Sequence, residues 1–510
     1  MISKSKYVKF KQCPMALWLD VNKPEIAAED ASAEQRMETG RTVGDLAKGL
    51  FGDYVDVSVR KPNGMPDIFK MVDKTDACLQ EDVENICEAA FIYDECYCAV
   101  DILHKDGDGY AIYEVKSSTD CKPDYDIDIA FQKWVLEHND IKVTGTYLVV
   151  LNNQYVYDGE KDAAGNPVYD LDELFTIMDR SGAVDELIGD VDDDVEEALD
   201  ILDGDEPEME ITCQCGSKSS RCAFFDYCRK QNNVPEHSVF DLYNNPKAHE
   251  QYAEGIESFE DYKESSYSNA NSITAQLRNR QLDFELEKRT DMFVDKEGIR
   301  GFLGELSYPV YFLDFETMQL ALPEYPNTRP YQQLTFQYSL HYIEREGGEL
   351  MHKEFLAESG DPDMLRKLAK QLVADIPQDV CVLVYNMSFE KSRIKELAAM
   401  FPDLSEHLMN IHDNINDLLK PFKQGLCYNR AMGGSFSIKS VLPALFPNDP
   451  ELDYHNLDGV HNGSEAMSIF PLIKDMSDEE KAKARENLLR YCHLDTLATV
   501  RVLEKLMSLV

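Results

Sequence analysis

The stretch that most constrains this chain is residues 308–317, Tyr-Pro-Val-Tyr-Phe-Leu-Asp-Phe-Glu-Thr, where an apolar run ends in two carboxylates, Asp314 and Glu316, one residue apart. Val310–Leu313 consists of β-formers and has the length of a buried strand. A strand turns every second side chain to the same face, so the two acids share one face at the edge of a core. Burying two negative charges is costly unless a cation compensates. The stretch is therefore either an amphipathic strand with solvated acids or half of a cation site, and the residues that follow bear on the choice.

Two further strands are expected at 333–342 and 350–355, then a helix over 363–374 and an apolar strand over 380–385. That strand delivers Asn386-Met-Ser-Phe-Glu390 to a helix start, where a carboxylate also complements the macrodipole. A last helix over 481–506 carries Tyr491-Cys-His-Leu-Asp495, whose i, i+4 spacing puts tyrosine and aspartate on one face. Each acid alone reads as a cap or a solvated side chain. Together Asp314, Glu316, Glu390 and Asp495 are the number of carboxylates that two divalent ions roughly 4 Å apart require at a phosphodiester, with Tyr491 placed to orient a water.

The N-terminal half repeats the theme in another pattern. Helical spacing at 7–19 is broken by Cys13-Pro14, and a second amphipathic stretch follows at 36–51. Strands are expected at 91–93, 97–103 and 110–116, the last two joined by the Gly-Asp-Gly turn 107–109. Asp101 falls on one and Glu114-Val-Lys116 on the next. Two carboxylates at that spacing can coordinate Mg2+ or Mn2+ while a lysine orients water, and the same residues also suit a surface hairpin with a cross-strand ion pair. A helix over 127–138 bearing Gln132 and a strand over 143–152 complete an α/β order. The acidic run 185–210, with Gly204 and Pro207 near its end, predicts a solvated helix plus linker without a catalytic role.

At 510 residues with 43% hydrophobic content the chain is long enough for two to four folded domains. No run approaches the roughly 18 apolar residues of a membrane span, and no apolar h-region follows the first lysines, so a soluble cytoplasmic protein without membrane partners is expected. Thirteen cysteines in such a chain read as reduced thiols or metal ligands. Four of them, Cys213, Cys215, Cys222 and Cys228, fall within one short stretch. They suit an iron–sulfur cluster or zinc, although neither Cys-x-x-Cys pair of a zinc ribbon is present. A net charge of −44 argues against gripping a polyanion with the whole surface and leaves local grooves and metal-bridged phosphates as the means of contact.

Asp101, Glu114-Val-Lys116 and the glutamine of Phe131-Gln132-Lys-Trp134 resemble the RecB-like branch of the PD-(D/E)XK nucleases. One departure is that the stretch 40–46 lacks the early-helix histidine found in many members. RecB-like nucleases, including those of the CRISPR adaptation machinery, carry one cysteine near the N-terminus and three after the nuclease core. The resemblance thus implies a 4Fe-4S cluster, with Zn2+ as the alternative, on Cys13, Cys215, Cys222 and Cys228, leaving Cys213 spare. Asp314-Phe-Glu316-Thr, Asn386-x-x-Phe-Glu390 and Tyr491-x-x-x-Asp495 resemble the three motifs of the DEDD 3′-5′ exonucleases, which have an RNase H-like fold. The second motif has glutamate where aspartate is usual. Both halves together look like a bacterial family joining these two domains, and the stretch 434–443 also resembles its C-terminal part, with Lys439 read as a solvated lysine or a phosphate contact.

The expected architecture is α/β throughout. A RecB-like domain over 1–230 is followed by a helical connector over 231–304, in which 276–281 could approach a nucleic-acid backbone, and by an RNase H-like domain with a mixed sheet over 305–510. The implied function is a Mg2+- or Mn2+-dependent nuclease on nucleic acid, single-stranded DNA ahead of RNA. The alternatives are a nucleic-acid-binding or assembly subunit with one or both sites inactive, and a small-molecule phosphoesterase.

Overall fold

The strands of the described residues build two large sheets and one two-stranded sheet in the computed structural model, which describes residues 1–28, 33–212, 215–216, 221–269 and 272–510. The described chain divides into one unit of residues 1–233 with 320–332, and a second of 234–319 with 333–510. Both are α/β with mixed sheets.

The first unit holds strands β1 (Ile2–Ser3), β2 (Val55–Asp56), β3 (Asn85–Tyr93), β4 (Cys96–Asp106), β5 (Gly109–Lys116), β6 (Val143–Leu151) and β7 (Phe175–Asp179), in the order β2-β3-β4-β5-β6-β7 with β1 beside β4. β4 and β5 form the expected hairpin, whose turn uses Gly107 at φ +61°, a left-handed conformation that favours glycine. β5 and β6 are parallel and so need a crossover, supplied by the helix Pro123–Glu137. That helix buries Ile129, Ala130, Phe131, Val135 and Leu136 against Val100, Leu103, Ile112, Leu148 and Val150. A second core packs Cys87, Ile102, Val149 and Leu151, on the other face of the same strands, with Val43 and Ala47 of the helix Ala33–Ala47. Cys13 is extended between the helices Lys4–Gln12 and Pro14–Asn22, and Pro14 at the first helical position has no N–H to leave unpaired.

The acidic stretch is more engaged than its composition suggests. Its helix Val191–Asp203 buries Val191, Val195 and Ala198, while Asp194 accepts from Tyr7 and Lys11, each at 2.7 Å. A helix over Ile68–Gln80, not read from the sequence, packs on β3. Residues 320–332 bind within this unit: Asn327 donates its N–H to Tyr157 O (2.7 Å), Tyr157 donates to Thr328 O (3.0 Å), and the Tyr331 hydroxyl donates to Ser117 O.

The second unit holds β8 (Met292–Val294), β9 (Val310–Gln319), β10 (Gln333–Ile343), β11 (Met351–Leu356), β12 (Cys381–Val384), β13 (Ile415–Asp417) and β14 (Cys427–Asn429). Its main sheet runs β11-β10-β9-β12-β13. The first three strands are an antiparallel meander, and β12 and β13 are parallel to β9. Neighbouring residues of β10 point to opposite faces: the Tyr338 hydroxyl meets Asp375 of the helix Met364–Asp375 at 2.7 Å, and Ser339 Oγ meets Thr496 Oγ1 of the final helix, Asp478–Ser508, at 2.6 Å. Residues 234–304, expected as a connector, belong to this unit and contribute β8, which pairs with β14. The polar stretch 276–281 is committed internally. Arg278 donates to Tyr243 O and Asn244 O, Arg280 lies over the Phe293 ring, and buried Gln281 accepts from Tyr243 N–H. Gly434 sits at φ +71°, where a Cβ would stand 2.5 Å from the Gln281 amide, so part of the 434–443 pattern is a packing requirement. No helix among the described residues is long and apolar enough to cross a membrane.

Candidate active sites

Asp314 and Glu316 stand on the central strand β9, opposite Ser339 and Gln337 of β10, on the face covered by the final helix. With Cys492 of that helix they form a set whose ligand atoms lie within 4.8 Å of one another. Cys492 Sγ is 3.9 Å from Asp314 Oδ2. Asp495, one turn further along the helix, accepts from Tyr454 Oη at 2.5 Å and from Tyr491. Glu390 lies in the first turn of the helix Met387–Met400, just past the carboxyl end of β12, where parallel α/β sheets commonly place ligands. Asn386, at φ +76°, begins that helix with its N–H on Asp417 Oδ1 at 2.9 Å.

The electrostatics show how uncomfortable this cluster is by itself. Burial pushes the Asp314 carboxyl well above its ordinary range, and Asp495, Glu316 and Glu390 push it further. Glu316 is raised by burial, Asp495 and Glu390 against the pull of Lys439. Burial lifts Glu390 to about 8, aided by Asp417, and lifts Asp495 to about 6 against the hydrogen bonds of Tyr454 and Tyr491. Glu390 is 2% exposed and its Oε2 has no hydrogen-bond partner. Buried acceptors are rarely left so. Four mutually repelling carboxylates with an unmet buried oxygen fit a divalent cation. Lys439 lies above them, its Nζ 5.5 and 5.7 Å from the ring centres of Tyr454 and Tyr491. Sequence spacing identified the four acids and Tyr491. Tyr454, Cys492 and Asp417 it did not, because Tyr454 and Asp417 reach the site from loops and short strands with no periodic signal and Cys492 looks like a small apolar residue.

In the first unit the structure brings Asp101, Glu114, Lys116 and Gln132 together. Where β4 and β5 part, Asp101 Oδ2 accepts from Val115 N–H at 2.7 Å. Glu114, 1% exposed, accepts from Lys116 (2.6 Å) and Gln132 (2.8 Å). Two partners were not foreseen. Asp128, one turn before Gln132, takes Lys116 at 2.7 Å and Gln132 at 2.9 Å. Lys4 places its Nζ 3.0 Å from both Glu114 oxygens and 3.6 Å from Asp101. Burial pushes Glu114 up, but Lys116 and Lys4 outweigh it and hold this carboxyl far below its ordinary range. Asp101 is lifted to about 7 by burial and by Glu114. Three carboxylates, Asp101, Glu114 and Asp128, thus face two ammonium groups, Lys4 and Lys116.

Cys13, Cys215, Cys222 and Cys228 are free thiols. Burial pushes Cys228 up to about 12, and the charges of Cys215, Cys13 and Cys222 add to it. Cys215 and Cys222, raised first by burial, both also feel Cys13. The four therefore converge from the N-terminal helix pair and from 215–228. Cys222 N–H bonds Cys215 O at 2.9 Å, Ala28 N–H bonds Ala223 O at 2.9 Å, and Lys23 bridges Glu206 and Tyr227. Cys213 lies outside the described residues. Four converging soft donors fit a thiolate-ligated metal or cluster.

The domain of unknown function DUF2779 matches residues 311–437, which hold Asp314, Glu316 and Glu390. The chain is 27% identical over 240 residues to the uncharacterized protein UU173 of Ureaplasma parvum, a match covering 44% of this chain and 34% of that protein. It is 24% identical over 216 residues to the uncharacterized protein MG366 of Mycoplasma genitalium, covering 39% and 32% respectively. The chain thus spans about a third of the length of the curated relatives it matches. No solved structure matches significantly.

Proposed function

We propose that the chain is a metal-dependent nuclease whose second unit trims single-stranded nucleic acid from the 3′ end, with DNA favoured. The observation that carries this reading is the electrostatic coupling of buried Asp314 and Glu316 to Asp495 and Glu390, with Glu390 Oε2 left unpartnered. These four would hold Mg2+ or Mn2+. Such an ion, when bound, polarises a phosphodiester and stabilises the charge that builds on it. Tyr454 and Tyr491 fix the Asp495 carboxylate by donating to it. The Tyr491 hydroxyl, kept protonated by burial and by Asp495, gives its one proton to Asp495 and keeps its oxygen as an acceptor able to orient a water. Lys439, exposed above the acids, is the cation available to a phosphate oxygen. Loss of a metal-dependent, end-labelled cleavage product in Asp314→Ala is the expected result. A wild-type protein that cuts no DNA or RNA oligonucleotide, single- or double-stranded, with either ion overturns the reading.

The first unit would carry a second, RecB-like nuclease site on Asp101, Glu114, Lys116 and Gln132, its ends tied together by a 4Fe-4S cluster on Cys13, Cys215, Cys222 and Cys228, or by zinc. Brown colour and a broad visible absorbance distinguish the cluster from zinc. Lys4 favours a second reading for this unit, as a binding module that does not cut, because its ammonium already compensates Glu114 and Asp101. Asp101→Ala separates the two: loss of a cleavage product that Asp314→Ala retains supports a working site, and unchanged products with unchanged affinity support the binding module.

A further inference from the structure

Beside the carboxylates, and using none of them, three histidines converge on the same face of the second sheet. The β10–β11 register sets His341 directly opposite His352, and Ser339 opposite Glu354 two residues along. Positions two apart share a face, so all four meet the final helix, which brings His493 over them. The ring centres stand 4.4 Å (His341–His352), 4.8 Å (His341–His493) and 4.4 Å (His352–His493) apart. Each ring presents a nitrogen such that all three lie within 4.8 Å of one another.

We infer that His341, His352 and His493 bind a divalent transition-metal ion of the zinc class, fastening the final helix to β10 and β11. His352 Nε2 and His493 Nδ1 are 3.3 Å apart, close to the about 3.4 Å that separates two nitrogens on one tetrahedral zinc. His341 Nδ1 is engaged by Thr496 Oγ1 at 2.8 Å, which orients the ring and leaves Nε2 free, the outer-shell support that ligating histidines ordinarily have. Ser339 Oγ lies 2.9 Å from His352 Nε2 and 2.6 Å from Thr496 Oγ1, so its proton has a second acceptor when that nitrogen is needed. Burial and the neighbouring rings hold His341 and His352 neutral, the form that ligates, down to about 3 and about 4. His352 and His493 line a cleft with Glu354, Glu451 and Arg490, which admits an ion and leaves a further coordination position facing water. Imidazoles select softer ions than carboxylates, so Mg2+ and a zinc-class ion sort between the two adjacent sites.

The test is Co2+ titration of the full chain in saturating Mg2+, read by visible absorption. Cobalt on nitrogen ligands gives d–d bands without the thiolate charge-transfer band that the cysteines would add. The wild type is expected to take up one such ion, and His352→Gln/His493→Gln to bind it on the order of 100-fold more weakly. Should the double variant fail to fold, His493→Gln alone is used, with circular dichroism in chelator as the folding control. Co2+ bands of equal intensity and affinity in wild type and either folded variant overturn the proposal, as does a wild type that shows no thiolate-free band.

Discussion

At the scale of single residues, the acids of the second unit make function and stability pull apart. Removing one of four mutually repelling carboxylates relieves strain on the fold, so Asp314→Asn is expected to melt higher than wild type in chelator while losing more than about 100-fold of metal-dependent cleavage. The pH response follows from the same groups. A carboxyl whose folded pKa lies above its unfolded value stabilises the fold fully below about pH 4 and loses that contribution as pH rises through the folded pKa. For Asp495 and Glu390 this loss falls between about 4 and about 8. His341 and His352 act in the other direction, being depressed below about 6.5 and costing stability as pH falls toward about 3 and about 4 respectively. Asp314 and Glu316 are raised as well, so the acids outnumber the histidines and chelated protein is expected to lose stability as pH rises from about 4 toward about 8, with Mg2+ flattening that loss; thermal scans across pH with and without Mg2+ check this. Asp314, Glu316, Glu390 and Asp495 were legible in the sequence because each sits at a fixed step from a strand or helix signal. Lys4, 110 residues from Glu114, and Tyr454, 41 residues from Asp495, were not, since nothing local marks a contact made across a fold.

At the scale of elements, the final helix does the joining. It carries Tyr491, Cys492, His493, Asp495 and Thr496 in fewer than two turns, and so presents the sheet with an acidic and an imidazole cluster side by side. Its position depends on small contacts: Thr496 Oγ1 touches Ser339 and His341, and Asp495 is held by Tyr454. Tyr454→Phe removes that donor from outside the metal-facing set, and is expected to weaken Mn2+ binding about 10- to 100-fold with little change in the chelated protein's circular dichroism; calorimetric titration measures it. Most strands and the main helices were readable from period and turn residues, including the β4–β5 hairpin at Gly107. The acidic helix Val191–Asp203 reads as solvated in the sequence because its charge conceals an apolar stripe, Val191, Val195 and Ala198, at helical spacing. The helix Ile68–Gln80 was overlooked although its buried face, Met71, Thr75 and Cys78, keeps the same period.

At the scale of the molecule, 95 Asp and Glu outnumber 51 Lys and Arg and repel a polyanion over most of the surface, so affinity for single strands is expected to fall only shallowly with salt, with a slope set by about 0.7 per phosphate neutralised. Binding isotherms at several salt concentrations measure the slope. The chain leaves the second unit after Gln319, gives residues 320–332 to the first, and returns at Gln333. A protease nick at 233/234 therefore does not free either half, because Ala321, Tyr325 and Thr328 remain buried; the two fragments should co-elute. A C-terminal fragment starting at 234 carries that segment away from its burial site and is expected to aggregate. Gln319 and Gln333 are direct partners across β9 and β10, so replacing 320–332 by a short Asn-Gly type turn closes the hairpin and is the splice that should yield a soluble, separately assayable half.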